Sequence, residues 1–218
     1  MAKAETAKLA DSFQSVLGAA ISNMDDVALF ALRSELSAIR AVVAGGKDKA
    51  LAASVDRALA AVGRFHTFAA EVKGFIVSRD FSKKASLFDV GSIGVLALEN
   101  VLTAERKSLF RILMSGLSEG LAFVASRQYI YGSTAVLDAL YRTNSAALYD
   151  DLWALATEIR GPLDEKTARE VQLGLDGFFK QLADPGVPVD RRVAAIYQMY
   201  EILVLVRCAD LLKRLRGS

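Results

Sequence analysis

The stretch ERKSLFRILMSGLSEGLAFVASRQYIY, Glu105 to Tyr131, is the one around which the rest of the chain is read. Leu, Ala, Arg, Lys and Glu dominate it, residues that lose little conformational freedom on coiling into a helix. Ser115-Gly116 interrupts the pattern, and glycine weakens a helix interior. The stretch therefore reads as a basic, apolar helix end, a break, and a short second helix closing near Arg127. Such a packing corner carries cations on its rim and needs other helices to cover it.

Working outward, helix follows helix. Leu9, Phe13, Val16, Leu17 and Ala20 recur at steps of three and four and mark a first helix from about Glu5 to Ser22. Asp25-Asp26 opens a second, where acids favour the positive end of the helix dipole. Its inward stripe is read as Val27, Phe30, Ala31, Ser34, Ala38, Ala41 and Val42, ending at Gly45-Gly46. A third runs from Asp48 to about Val77, with Leu51, Val55, Leu59, Val62, Phe65, Phe68, Val72 and Ile76 inside and possible bends at Gly63 or Gly74. Arg79 to Gly91 (RDFSKKASLFDVG) is the best loop, placing Arg79, Lys83 and Lys84 beside Phe81 and Phe88. Cations interleaved with aromatics suit a nucleic-acid backbone with stacked bases, although a plain surface crossing has the same composition.

A helix from about Ser92 to Met114 leads into the corner. Beyond it, Ser133 caps one or two helices to Arg160 with Leu137, Leu140, Tyr141, Leu148, Leu152 and Leu155 inward and Asn144 a possible interruption. Gly161-Pro162 closes that element, Asp164 opens the next, and Asp190 caps a last helix to about Leu215. The chain is thus expected to be all-α, a multi-helix bundle of about eight helices with no sheet. It forms one domain over residues 1–218, with residues 1–60 a possible N-terminal helical extension.

Composition narrows the function. Hydrophobic residues make up 53% of the 218 and mean hydropathy is +0.29, yet charges interrupt every apolar run before membrane-spanning length. The lone Cys208 excludes an internal disulfide, and the N-terminus lacks an apolar leader, which points to a cytoplasmic protein. Scarce Asn, Gln and Cys beside abundant Ala, Leu and Arg suggest a thermophilic source. Net charge is only +2, but it is uneven. From Arg191 onward six bases face two acids, while Gly161 to Asp190 holds six acids against three bases, an arrangement suited to head-to-tail docking of copies.

Catalytic chemistry finds little footing. His66 is the only histidine, which removes histidine triads, paired-histidine zinc sites and carboxylate–histidine di-iron sites. It lies between Phe65 and Phe68 and reads as structural. The adjacent pairs Asp25-Asp26 and Asp150-Asp151 point to different helix faces, no phosphate-loop or dinucleotide fingerprint occurs, and Cys208 and Trp153 sit among apolar neighbours. The expectation is a protein that is no enzyme, with no cofactor and no metal. The better constellation is basic: Lys107 and Arg111 share a helix face beside Arg106, and a chain folded back at Gly116 brings Arg127 toward them. Cations on one face hold a phosphate backbone without reading its sequence.

These residues carry a resemblance. Arg106, Ile112, Ser115, Gly116, Leu117, Leu121, Ala122, Phe123, Ser126 and Arg127 resemble the core motif of the small helical subunit of type III-B (Cmr-type) CRISPR RNA-guided effector complexes. Arg207, Ala209 and Leu212 are similar in placement to that family's final helix. Ser115 stands for the family's Asn, Leu109 for a common Pro and Arg127 for Lys. The likeness spans about half the chain, with no counterpart for the first sixty or so residues. It implies a non-catalytic bead in antiviral defence that stacks along a guide–target RNA duplex. Arg106, Lys107, Arg111, Arg127, Lys83, Lys84 and Arg207 would bind RNA, and other faces would meet copies of itself and the larger subunits, with no membrane involved. Two alternatives stand beside it: a helical DNA-binding or regulatory module, and a helical bundle around an apolar ligand cavity.

Overall fold

A computed structural model describes residues 3–22, 24–46, 48–73, 106–124 and 133–217. Seven helices and no strand occur among them: α1 (Lys3–Ser22), α2 (Asp26–Ala44), α3 (Lys49–Val72), α4 (Arg106–Val124), α5 (Thr134–Arg160), α6 (Glu165–Leu182) and α7 (Val189–Gly217). The all-α expectation holds among the described residues, where seven helices are seen and about eight were expected of the whole chain. Among the described residues no helix is long and apolar enough to cross a membrane.

The bundle is built around α7, not around the Glu105–Tyr131 stretch. Every α7 residue from Val193 to Leu212 is buried, because α1, α3, α4 and α5 all pack against it. Only Gln198, Glu201, Arg207 and Asp210 are polar in that run. A helix apolar on nearly every side can be surrounded, whereas one with a single stripe can only be covered. α2 lies outside, on α1 and α3, and α6 rests on α4 and α5. Ala10, Phe13 and Leu17 of α1 belong to the same core as α7.

Aromatic side chains lock the centre. The Phe65 ring stacks on Tyr200 at 5.5 Å and meets Tyr197 edge-on at 4.8 Å, arrangements that favour the ring quadrupoles. The two tyrosines then bind in different directions. Tyr197 donates its hydroxyl to the Met24 carbonyl at 2.7 Å, tying the α1–α2 turn to the centre. Tyr200 donates to Asn144 Oδ1 at 2.9 Å and so reaches α5. That bond explains a polar residue in the middle of α5, which runs through Asn144 without interruption.

Local chemistry sets the ends. Asp25, Asp48, Ser133 and Asp164 each accept a hydrogen bond from a first-turn backbone N–H, which satisfies a donor the helix leaves orphaned. Thr167 holds the exposed Asp164 carboxyl below its usual range by donating both its backbone N–H and its hydroxyl. Gly161 ends α5 at φ +85°, a conformation that disfavours other residues. α7 starts at Val189, so Asp190 lies in its first turn and is not its cap.

Two expectations fail here. Ser115-Gly116 is not a corner: α4 continues through it, and Gly116 is buried. One glycine costs a helix only about 1 kcal/mol, less than the packing of Leu109, Leu113 and Leu117 supplies. On α2 the buried stripe is Leu29, Leu32, Leu36, Ile39 and Val43. The stripe read from the sequence faces outward, with Val27 65% and Phe30 61% exposed. Both stripes are apolar and keep the same period; the leucine-rich one offers more aliphatic surface to α1 and α3.

Candidate functional site

α4 begins with two cations and no acid in its first turn. Positive charge at a helix N-terminus opposes the dipole, so Arg106 needs compensation from elsewhere. The bundle provides it by bringing the C-terminal ends of α5 and α7 alongside. Arg106 Nε donates to Asp210 Oδ1 at 3.0 Å, and Nη2 donates to the Glu158 carbonyl at 2.7 Å. Asp210 also holds Arg214, one turn along α7, at 2.8 Å.

A second carboxylate completes the cluster. Glu158 Oε2 lies 2.7 Å from Arg207 Nη1 and 2.8 Å from Arg57 Nε. The Arg207 contact is a directed hydrogen bond. The Arg57 contact is charge proximity only, since Arg57 Nε has no aligned partner. Four guanidinium groups (Arg57, Arg106, Arg207 and Arg214) thus gather on two carboxylates (Glu158 and Asp210). Side-chain exposure rises outward, from 7% for Arg207 through 29% for Arg214 to 39% for Arg57 and 45% for Arg106.

The residues expected to bind RNA separate accordingly. Arg207 is not a surface contact: it is buried and committed to Glu158. Its setting, apolar on both sides in EILVLVRCADLL, places the charge on the central helix, where an unpaired guanidinium would be costly. Arg106 is half exposed and half engaged. Lys107 and Arg111 are exposed, one helical turn apart, with no ion-pair partner among the described residues. Half-buried Phe110 and Met114 accompany them along α4. Lys83, Lys84 and Arg127 lie outside the described residues, as do the Arg79–Gly91 loop and Tyr129 and Tyr131. The fold-back at Gly116 that was to bring Arg127 toward Lys107 does not occur. A straight helix carries the chain roughly 27 Å along its axis between Arg106 and Val124.

Sequence reading missed Arg57, Glu158, Asp210 and Arg214. The readable signal was Asp210 four residues before Arg214, together with charged residues inside an apolar run. Their assembly with Glu158 joins positions far apart in the chain. The basic C-terminus is likewise largely engaged at home. Arg192 donates to the Val187 and Asp184 carbonyls and lies over the Tyr141 ring, while Arg216 bonds Gln14.

Guanidinium groups offer only hydrogen-bond donors, so the chemistry these arginines bring to the cluster is the holding of carboxylates and other anions. Burial pushes the Cys208 thiol up to about 12, against the pull of Arg207, and keeps it inert. His66 lies 5.9 Å from the Phe30 ring. No group of three or more metal-ligating side chains gathers among the described residues. Comparison of the chain with protein families, with curated proteins and with solved structures finds no match in any of the three.

Proposed function

We propose that this chain is a non-catalytic helical subunit that holds a nucleic-acid backbone along α4. The observation that carries the proposal is the exposed Lys107–Arg111 row on one face of α4, with no ion-pair partner among the described residues. Inner arginines fix the end of the bundle, and outer cations meet phosphates. Half-buried Phe110 between Lys107 and Arg111 adds an apolar surface for a base. The resemblance to small subunits of type III-B CRISPR effector complexes makes RNA the partner in this reading, with other effector subunits beside it. That resemblance now rests on the α4 cations and the helical content, because its central turn is helix here. Self-stacking would use the exposed acids Glu165 and Glu170 of α6, the C-terminal cations being mostly engaged internally.

The test is the salt dependence of binding to a single-stranded RNA oligonucleotide, read by fluorescence anisotropy. Replacing Lys107 and Arg111 by Glu should weaken binding and lower the log–log salt slope by roughly 1.4, two contacts at about 0.7 each for single strands. Unchanged affinity and slope would remove the nucleic-acid assignment. Duplex DNA preferred over RNA would replace the effector reading with a DNA-binding module.

A further inference from the structure

A polar groove lies along α3 between α2 and α5, at a place where α3 and α5 barely touch. It is open to solvent and offers about 730 Å³, within the range of small-molecule sites. Its donors come from three helices. Arg33 of α2 has no carboxylate partner among the described residues. Arg64 of α3 is anchored through one nitrogen by Asp151, with further N–H groups to spare.

Asn144 on the α5 wall is held at both ends. Its Nδ2 donates to the Leu140 carbonyl at 2.8 Å, and a carbonyl can only accept, which fixes the orientation of the amide. Its Oδ1 takes the Tyr200 hydroxyl from the groove floor. The remaining Nδ2 hydrogen has no acceptor among the described residues.

Acceptors lie beside these donors. Ser37 donates its hydroxyl to the Arg33 carbonyl at 2.9 Å, and Thr67 donates to the Gly63 carbonyl at 3.1 Å. With their hydrogens committed to backbone, both present oxygen lone pairs. Gly63 lines the groove, and a Cβ there would meet Arg33 Nε at ordinary contact distance, 3.9 Å, so only a larger side chain would fill the space. Asp56 is neutralised by Arg40 and Arg64 by Asp151, so Arg33 supplies one unbalanced positive charge.

We propose that this groove binds a small phosphate monoester bearing hydroxyl groups, a sugar phosphate or a mononucleotide. The phosphate sits against Arg33 and Arg64 with the free Asn144 N–H, and the ester's hydroxyls donate to Ser37 and Thr67. Forked guanidinium donors match phosphate oxygens, and the paired acceptors distinguish a polyol ester from a bare anion.

Titration calorimetry of the full chain with ribose 5-phosphate, AMP and inorganic phosphate tests this. The expected result is saturable one-to-one binding of ribose 5-phosphate or AMP, at least tenfold tighter than inorganic phosphate. AMP tighter than ribose 5-phosphate identifies a mononucleotide; equal affinities identify the sugar phosphate. Arg33→Gln should weaken binding at least tenfold. Gly63→Leu should abolish it without lowering Tm, because the substitution improves helix propensity. Lys107→Glu/Arg111→Glu should leave it unchanged, which separates this site from the α4 cations. No saturation by about 1 mM ester, binding of inorganic phosphate as tight as the ester, or full affinity in Arg33→Gln would each overturn the proposal.

Discussion

α2 and α7 invert the usual relation between composition and burial. α2 carries four charged residues (Asp26, Arg33, Glu35 and Arg40) in 19, yet turns Val27 and Phe30 to solvent. α7 carries nine charged residues in 29, from Asp190 to Arg216, yet is enclosed from Val193 to Leu212. The difference lies in position. Among the described residues α2 packs mainly on α1 and α3 and buries one of its two apolar stripes. α7 is surrounded by four helices, so its charges must be paired from other elements or confined to its ends. Burial needs both an apolar run and enough neighbours: α7 has the run from Val193 to Leu212, and four helices enclose it.

The sharpest break of that contrast uses one residue type on two helices. Phe65→Ala, opposite Tyr197 and Tyr200 on α7, should cost about 4 kcal/mol in urea unfolding, whereas Phe30→Ala on the outer face of α2 should stay within about 0.5 kcal/mol. Equal losses would mean that the outer stripe is covered. Next in size is the buried charge. Arg207→Ala should destabilise by about 3 kcal/mol, the range for breaking a buried pair, and Arg207→Met should recover part of that by restoring apolar packing. A loss under about 0.5 kcal/mol, the scale of an exposed pair, would show that Arg207 is not held inside.

The smallest effect is alkaline. Cys208 is raised from 9.0 to about 12 by burial, and Tyr200 from 10.0 to about 12, by burial first and then by the Asp151 charge. Both folded values lie above the unfolded ones, so their contribution is complete below about pH 9 and declines as pH rises toward 12. Each group loses about 1.4 kcal/mol per pH unit once its unfolded form ionises. Urea midpoints measured at pH 8 and pH 10 should therefore fall, and Cys208→Ala should flatten the fall. An unchanged slope in that variant would place the thiol in solvent.

What could be read along the chain was whatever neighbouring residues decide among themselves. Asp25, Asp48, Ser133 and Asp164 announced their helices because a cap acts on backbone groups two or three residues away. The buried faces of α1, α3 and α5 were legible because each has one apolar stripe. α2 has two, and choosing between them needs the neighbouring helices. Ser115-Gly116 misled for a related reason: a local weakness of about 1 kcal/mol says nothing about the packing that overrides it. At the candidate site, Lys107 and Arg111 were visible as a pair on one helix face. The burial of Arg207 was not, because its partner Glu158 comes from another helix.

Helical character, the starts of most helices and a chemistry poor in histidine and cysteine can all be read along the chain. These follow from propensity, capping and composition, which are properties of short segments. Only the tertiary structure decided that α7 is the centre and that arginines from α3, α4 and α7 converge on two carboxylates. It also decided that Arg33, Arg64 and Asn144, from three helices, line one groove. Those outcomes depend on which helices lie side by side, and that is set by the sum of many apolar contacts between residues distant in the chain.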